Sequence, residues 1–159
     1  MKLVPTLCSS LLAMSAFALA QDGRAADAAR APVYTPGLGE IMSLQQMRHS
    51  KLWSAGSAHN WPLAAYELDE LKEGFDDAAT FDPNHRGQPI SGLIGEITPQ
   101  PLANLETAIK AKSEARFDSA FDQLTAACNN CHQSADKGFI VIRRPASSPY
   151  TDQDFAPHG

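Results

Sequence analysis

Four stretches of the chain repeat apolar or small residues at alternating steps of three and four, the spacing of one face of an α-helix. We call each repeating face a seam. The four seams are Leu38, Met42, Gln45, His49, Leu52 and Gly56; Ala64, Leu68, Leu71, Phe75 and Ala78; Leu102, Leu105 and Ile109; and Phe117, Phe121, Leu124, Cys128, Cys131 and Ala135. The spacing therefore predicts four helices that each turn one face toward a shared core.

Proline and glycine indicate where these helices end. The cluster at residues 59–62 separates the first two predicted helices, and residues 81–97, with two prolines and three glycines, predict a long irregular connection. Thr98 stands before a proline and predicts the N-cap of the third helix. Lys137 and Gly138 predict the end of the fourth. Two short connections and one long one predict an all-α fold, an antiparallel four-helix bundle over residues 37–137.

The two ends of the chain lie outside this predicted bundle. Lys2, an almost uncharged run over residues 3–19 and a small-residue site ending at Ala20 predict a secretory signal peptide at 1–20. The run is short for a transmembrane segment and contains Pro5, so we expect no stable membrane anchor. Residues 21–36 predict a flexible leader and residues 138–159 an irregular C-terminal tail. Cleavage near Ala20 would release the mature chain into the periplasm.

Size and charge narrow the class of protein. The 159 residues fit one domain with tails, and the apolar fraction of 43% is enough for a core. The formal net charge of −5 argues against nucleic-acid binding, which needs a dense basic face. Loss of Lys2 with the signal peptide makes the charge one unit more negative, so any partner recruited by charge is expected to be basic. Cleavage also removes Cys8 and leaves two cysteines, Cys128 and Cys131.

Those two cysteines belong to the motif that carries chemistry. Cys128-Asn129-Asn130-Cys131-His132 is C-x-x-C-H, the attachment sequence of a c-type haem. Helix positions i, i+3 and i+4 share a face, so both thiols and the imidazole would point the same way. The sulfurs of Cys128 and Cys131 can then form thioethers with the haem, and His132 can bind the iron as its proximal ligand. The motif predicts one covalent haem c.

The two cysteines have two other possible roles. A redox-active C-x-x-C disulfide usually lies at a helix N-terminus, where the helix dipole stabilises a thiolate. Here the pair falls near the end of the last predicted helix. A structural zinc site needs four ligands, and the remaining histidines are distant in sequence. Haem attachment agrees with the predicted export as well as with the motif.

The position of the motif identifies a resemblance. No methionine follows Met47, which excludes a small mitochondrial-type cytochrome with a methionine ligand after the motif. A C-x-x-C-H near the end of the last of four helices resembles the cytochrome c′ class. The resemblance covers about residues 37–137 and implies a four-helix-bundle monohaem cytochrome. It also implies either high-spin gas binding or low-spin electron transfer, and pairing into a homodimer. The tail beyond Gly138 departs from the pattern, in which the chain ends soon after the haem histidine.

The sixth iron ligand separates those two functions. In an antiparallel bundle the end of the fourth helix lies beside the start of the first, so the distal side belongs to residues near Met42 and His49. His49 is the first candidate ligand and Met42 the weaker alternative, with Met47 behind it because it falls off the seam. Without a protein ligand, Leu38, Met42 and Leu52 would form an apolar lid for nitric oxide or carbon monoxide.

The remaining polar residues are expected to have ordinary roles. His59, His85 and His158 fall in predicted connections or the tail and are interpreted as surface residues. Arg143 and Arg144 either pair with the haem propionates or form an exposed basic pair. No paired acid and base accompany the motif, so we expect no enzyme activity. The sequence predicts a periplasmic one-electron carrier with a redox partner protein, and a gas-binding protein is the alternative.

Overall fold

The computed structural model describes residues 33–158, so the predicted signal peptide and most of the leader lie outside the described residues. All five helices of the described residues lie in one compact unit that begins at Thr35. The helices are α1 (Leu38–Ser57), α2 (Trp61–Phe81), α3 (Ile90–Ile97), α4 (Pro99–Lys110) and α5 (Glu114–Ser134). No strand forms within 33–158, and the fold is all-α, as the seams predict. None of these helices is long and apolar enough to cross a membrane.

Leucine and phenylalanine side chains from four helices fill the main core. Its largest fully buried side chains are Leu52 of α1, Leu68 and Leu71 of α2, Leu105 of α4, and Phe117, Phe121 and Leu124 of α5. Each such side chain stabilises the fold by about 1.5–3 kcal/mol relative to exposure. All seven are seam residues, so the period of the sequence correctly predicts which face of each long helix is buried.

α1 and α5 run antiparallel. Residues later in α1 contact residues earlier in α5. His49 hydrogen-bonds to Thr125, the Trp53 ring lies 5.0 Å from the Phe121 ring, and His59, just after α1, pairs with Glu114. The prediction that the end of the last helix lies beside the start of the first is therefore confirmed. This arrangement brings the C-x-x-C-H motif to the N-terminal half of α1.

The corner between α1 and α2 depends on a close approach. Gly56 lies against the Phe117 ring, and a Cβ built there would overlap the ring atoms, so this position requires glycine. His59 then takes a left-handed backbone angle (φ 58°), which turns the chain. The Asn60 side chain accepts a hydrogen bond from the Leu63 backbone N–H and caps α2. Local polar chemistry thus fixes the angle at which α2 leaves α1.

The long connection predicted for residues 81–97 is wrong in its second half. Ile90–Ile97 forms α3, and only residues 82–89 are irregular. Ile90 and Ile94 are one turn apart and pack with Ile41, Ala78 and Ala135 in a second core cluster. Gly92 and Gly95 lie on the exposed face of α3, where they lower its helix propensity but do not interrupt its packing. Tertiary burial of the two isoleucines therefore outweighs the two glycines.

Two predicted helix ends also need correction. Thr98 precedes α4, as predicted, but its hydroxyl donates to the Ile94 carbonyl of α3 instead of capping α4. α5 ends at Ser134, before the predicted stop at Gly138. Asp136 (φ 57°) supplies the left-handed residue that a terminating glycine would otherwise provide.

The chain after α5 has no regular secondary structure but is attached along α1 and α5. Arg144 reaches Asp122 (2.7 Å) and lies over the Trp53 ring at 4.2 Å. Lys51 lies over the Tyr150 ring, Phe155 packs against the main core, and the Asn60 side chain donates to the Ala156 carbonyl. The predicted tail is therefore irregular and at the same time part of the folded unit.

Candidate functional site

A cavity of about 310 Å³ lies at the end of the unit where α1 begins and α5 ends. Its volume is at the lower end of the range for small-molecule and cofactor sites. Apolar side chains form most of the wall, among them Leu38, Leu71, Phe75, Ile90 and Ile94. They come from α1, α2 and α3, so the short helix that the sequence did not predict closes one side of the cavity.

The C-x-x-C-H motif forms another part of the wall. Cys128, Cys131 and His132 occupy the last two turns of α5, and all three line the cavity. The two cysteines are free thiols and half-buried. The predicted site residues are therefore together: the motif shares one cavity with Met42 and His49 of α1.

The His132 ring is held by one hydrogen bond. Its Nδ1 lies 2.9 Å from the Ile140 carbonyl oxygen, which can only accept, so Nδ1 carries the proton in the neutral ring. Nε2 is then unprotonated and available to a metal. A hydrogen bond from the second ring nitrogen to a carbonyl or carboxylate is the usual support of a histidine that binds a metal.

Asn129, inside the motif, fixes the segment that supplies this carbonyl. Its amide donates to the Ile142 carbonyl oxygen at 2.8 Å, and its Oδ1 accepts from the Ile142 N–H at 2.8 Å. We call residues 138–142 the strap, because this pair of bonds holds it against α5. Ile140 and Ile142 of the strap line the cavity. The part of the chain beyond Gly138 thus completes both the cavity wall and the hydrogen bond of His132.

The two thiols are unsuited to thiolate chemistry. Burial raises the pKa of Cys128 to about 12 and raises the pKa of Cys131. A thiol-disulfide catalyst needs a lowered thiol pKa, usually from a helix N-terminus, whereas these thiols lie in the last turns of α5. The geometry disfavours the redox-disulfide reading. Within residues 33–158, no group of three or more His, Cys, Asp and Glu side chains is placed to hold a bare metal ion.

His49 is buried on the α1 side of the cavity. Its Nε2 lies 2.9 Å from the Thr125 hydroxyl, and its ring lies 4.4 Å from the Phe121 ring. Desolvation lowers the pKa of His49 to about 4, so the ring is neutral at neutral pH. The residue combines a place on the cavity wall with the contacts of a satisfied core histidine.

The other residues predicted on the distal side do not all lie at the cavity. Met42 and Leu38 line the cavity, whereas Leu52 is fully buried in the main core and Met47 is half-buried outside the cavity lining. The apolar lid proposed from Leu38, Met42 and Leu52 is therefore wrong for Leu52, because this residue lies one turn beyond His49, past the end of the cavity. Ile90 and Ile94 of α3 are apolar wall residues that the sequence did not indicate.

His85 is the functional candidate that sequence reasoning missed. The sequence predicts a surface residue here, and this prediction is wrong because His85 is half-buried and lines the cavity. The irregular segment 82–89 leads into α3, which packs against α1, α2 and the end of α5, and this places His85 at the cavity. The Ile90 and Ile94 spacing indicates a buried helical turn just after His85, but this spacing alone does not place His85 at the cavity.

The remaining polar candidates do not belong to the cavity lining. His59 and His158 are exposed, as predicted, and pair with Glu114 and Asp154. Arg143 is exposed, and Arg144 is occupied by Asp118 and Asp122. Arg144 therefore binds carboxylates of α5 and is not a free basic residue beside the cavity.

Comparisons of the chain with protein-family models, with curated proteins and with solved structures found no significant match. The interpretation of the cavity therefore depends on its own residues.

Proposed function

We propose that the protein is a monohaem c-type cytochrome that carries one electron, exported to the periplasm after cleavage near Ala20. The observation that carries the proposal is the joint placement of Cys128, Cys131 and His132 on one wall of an apolar cavity, with Nδ1 of His132 already hydrogen-bonded. Export comes from the sequence of residues 1–20. The four long helices, with α1 antiparallel to α5, support an antiparallel four-helix bundle of the cytochrome c′ class as the finer description of the fold.

The residues of the cavity fit a covalent haem. The two free thiols match the attachment of two vinyl side chains, and Nε2 of His132 matches a proximal iron ligand. The apolar walls match the faces of a porphyrin. When bound, the haem supplies an iron that alternates between the ferric and ferrous states.

The chain sets the behaviour of such an iron in two ways. The Ile140 carbonyl accepts from Nδ1 of His132, which fixes the ring orientation and makes Nε2 a stronger donor to the metal. The mostly apolar walls from α1, α2 and α3 would lower the dielectric constant around a bound haem, which favours the less charged oxidation state. Ligand identity, hydrogen bonding and burial together determine the reduction potential.

The test is covalent attachment. Produced in cells that attach haem, the wild type should keep its Soret band after acid-acetone extraction, and Cys128→Ala/Cys131→Ala should lose it. His158→Ala, a change at an exposed histidine, is the control and should keep the band. The proposal is wrong if wild-type protein carries no haem that survives extraction.

A gas-binding protein with a five-coordinate iron is the second candidate. It is favoured by the apolar residues around Met42 and by the hydrogen bond that occupies Nε2 of His49. A high-spin ferric spectrum and binding of carbon monoxide to the ferrous protein without displacement of a protein ligand would support it. A basic redox partner and a homodimer are further parts of the proposal; sedimentation of the haem-loaded protein tests the dimer.

A further inference from the structure

His85 lies in a tight turn that fixes its position. Arg86 and Gly87 both have left-handed backbone angles (φ 50° and 86°), the pattern of a two-residue hairpin turn. The backbones of His85 and Gln88 exchange two hydrogen bonds of 3.0 Å across it. The Gln88 side chain donates to Asp136, just after α5. The turn is thereby tied to the same end of α5 that carries His132.

The His85 ring is oriented by a carboxylate. Its Nδ1 lies 2.6 Å from Oδ2 of Asp82, and since an ionised carboxylate only accepts, Nδ1 is the donor. In the neutral ring Nε2 is then unprotonated. A carboxylate that holds one ring nitrogen while the other is left for a metal is the support typical of metal-binding histidines.

Three histidines line the cavity, and their hydrogen bonds differ. His132 and His85 each use Nδ1 and leave Nε2 free. His49 uses Nε2: the Thr125 hydroxyl donates its single proton to the Phe121 carbonyl at 2.9 Å, so it accepts from His49. The other ring nitrogen of His49, Nδ1, is the one nearer the His49 backbone. The His49 ring also packs against the Phe121 ring.

We propose that Nε2 of His85 is the sixth ligand of the iron that His132 holds, and that Asp82 is its positioning residue. The inference rests on the proposed function and deepens it. It assigns the distal ligand to the turn between α2 and α3 instead of to α1. Met42 and His49 then act as walls of the cavity on the α1 side.

The experiment uses haem-loaded protein, and its readouts are absorption and electron paramagnetic resonance spectra. The ferric wild type should be low-spin, His85→Ala should be high-spin, and added imidazole should restore the low-spin signal. His49→Gln, which keeps a partner for Thr125, and His59→Ala, at an exposed histidine, should stay low-spin. Asp82→Asn should keep the low-spin state but lower the concentration of cyanide that displaces the ligand, a readout that loss of stability alone would not move.

Other outcomes overturn the inference in distinguishable ways. Conversion to high spin by His49→Gln, with His85→Ala unchanged, would assign the ligand to His49. Conversion by Met42→Ala alone would assign it to Met42. A high-spin wild type would favour the gas-binding function. If His85→Ala is poorly soluble, His85→Gln keeps a hydrogen bond to Asp82 and serves in its place. Absence of covalent haem in the wild type would overturn the proposed function itself.

Discussion

The two halves of α5 share one seam but meet different surroundings. In the first half, Phe117, Phe121 and Leu124 are 0% exposed and packed by aromatic and leucine side chains from α1, α2 and α4. In the second half, Cys128 and Cys131 continue the same period, yet they are half-buried and face a cavity. A hydrophobic period therefore indicates which face of a helix turns inward. It does not say whether side chains or a prosthetic group fill the space that the face meets.

The largest expected effect tests the packed half. Phe117→Ala removes a ring that contacts Trp53, Trp61 and Phe121, and should lower the free energy of unfolding by about 3–5 kcal/mol. Phe75→Ala is the matched change beside the cavity. It should cost clearly less, because the half-buried Phe75 has the cavity on one side. Urea unfolding measures both free energies, and equal losses would contradict the contrast between the packed core and the cavity wall.

A smaller effect is a pH dependence of the free energy of unfolding, which comes from His49 beside the middle of α5. The pKa of His49 is lowered from 6.5 to about 4 by burial, so between these values the unfolded chain binds a proton that the folded chain does not. Stability should therefore be highest above pH 6.5 and should fall by about 3 kcal/mol as the pH drops to 4, from this residue alone.

His49→Gln removes this contribution. The difference in unfolding free energy between wild type and His49→Gln, measured in urea at several pH values, should change across the window from pH 6.5 to 4. Carboxylates that titrate in the same range cancel in the difference. Parallel curves for the two proteins would show that His49 is not desolvated as the structure has it.

The smallest effect tests the cavity half. Asn129→Ala removes both hydrogen bonds to Ile142 and should lower the unfolding free energy by about 1–2 kcal/mol. Hydrogen exchange of the Ile142 amide should become faster. Asn130→Ala, at the exposed neighbouring position of the same motif, is the control and should change neither quantity. If the two variants behave alike, Asn129 does not hold the strap.

Much of the fold can be predicted from the seams, because residues that repeat about every 3.6 positions lie on one face of a helix and are buried together. The predicted burial of Leu68, Leu105 and Phe121 is confirmed. The helix at Ile90–Ile97 could not be predicted from local propensity, since its glycines indicate a loop and its stability comes from packing against α1, α2 and α5.

The site was predictable in part for a similar reason. Cys128, Cys131 and His132 lie close together in the sequence, so helical spacing alone places them on one face. The entry of His85 depends on a hairpin turn with Arg86 in a left-handed conformation, which is uncommon for arginine and has no sequence signal of its own. The Ile140 carbonyl that accepts the hydrogen bond of His132 lies eight residues away in a segment without regular secondary structure. No hydrophobic periodicity in the sequence indicates its position.

The attachment of the strap also has a consequence for the order in which the molecule is completed. Ile140 and Ile142 of the strap form part of the cavity wall, so one edge of the cavity is open while the strap is unattached. The two hydrogen bonds of Asn129 then close that edge from within the motif itself. A large, flat molecule can therefore enter the cavity more easily before the strap attaches to α5 than afterwards.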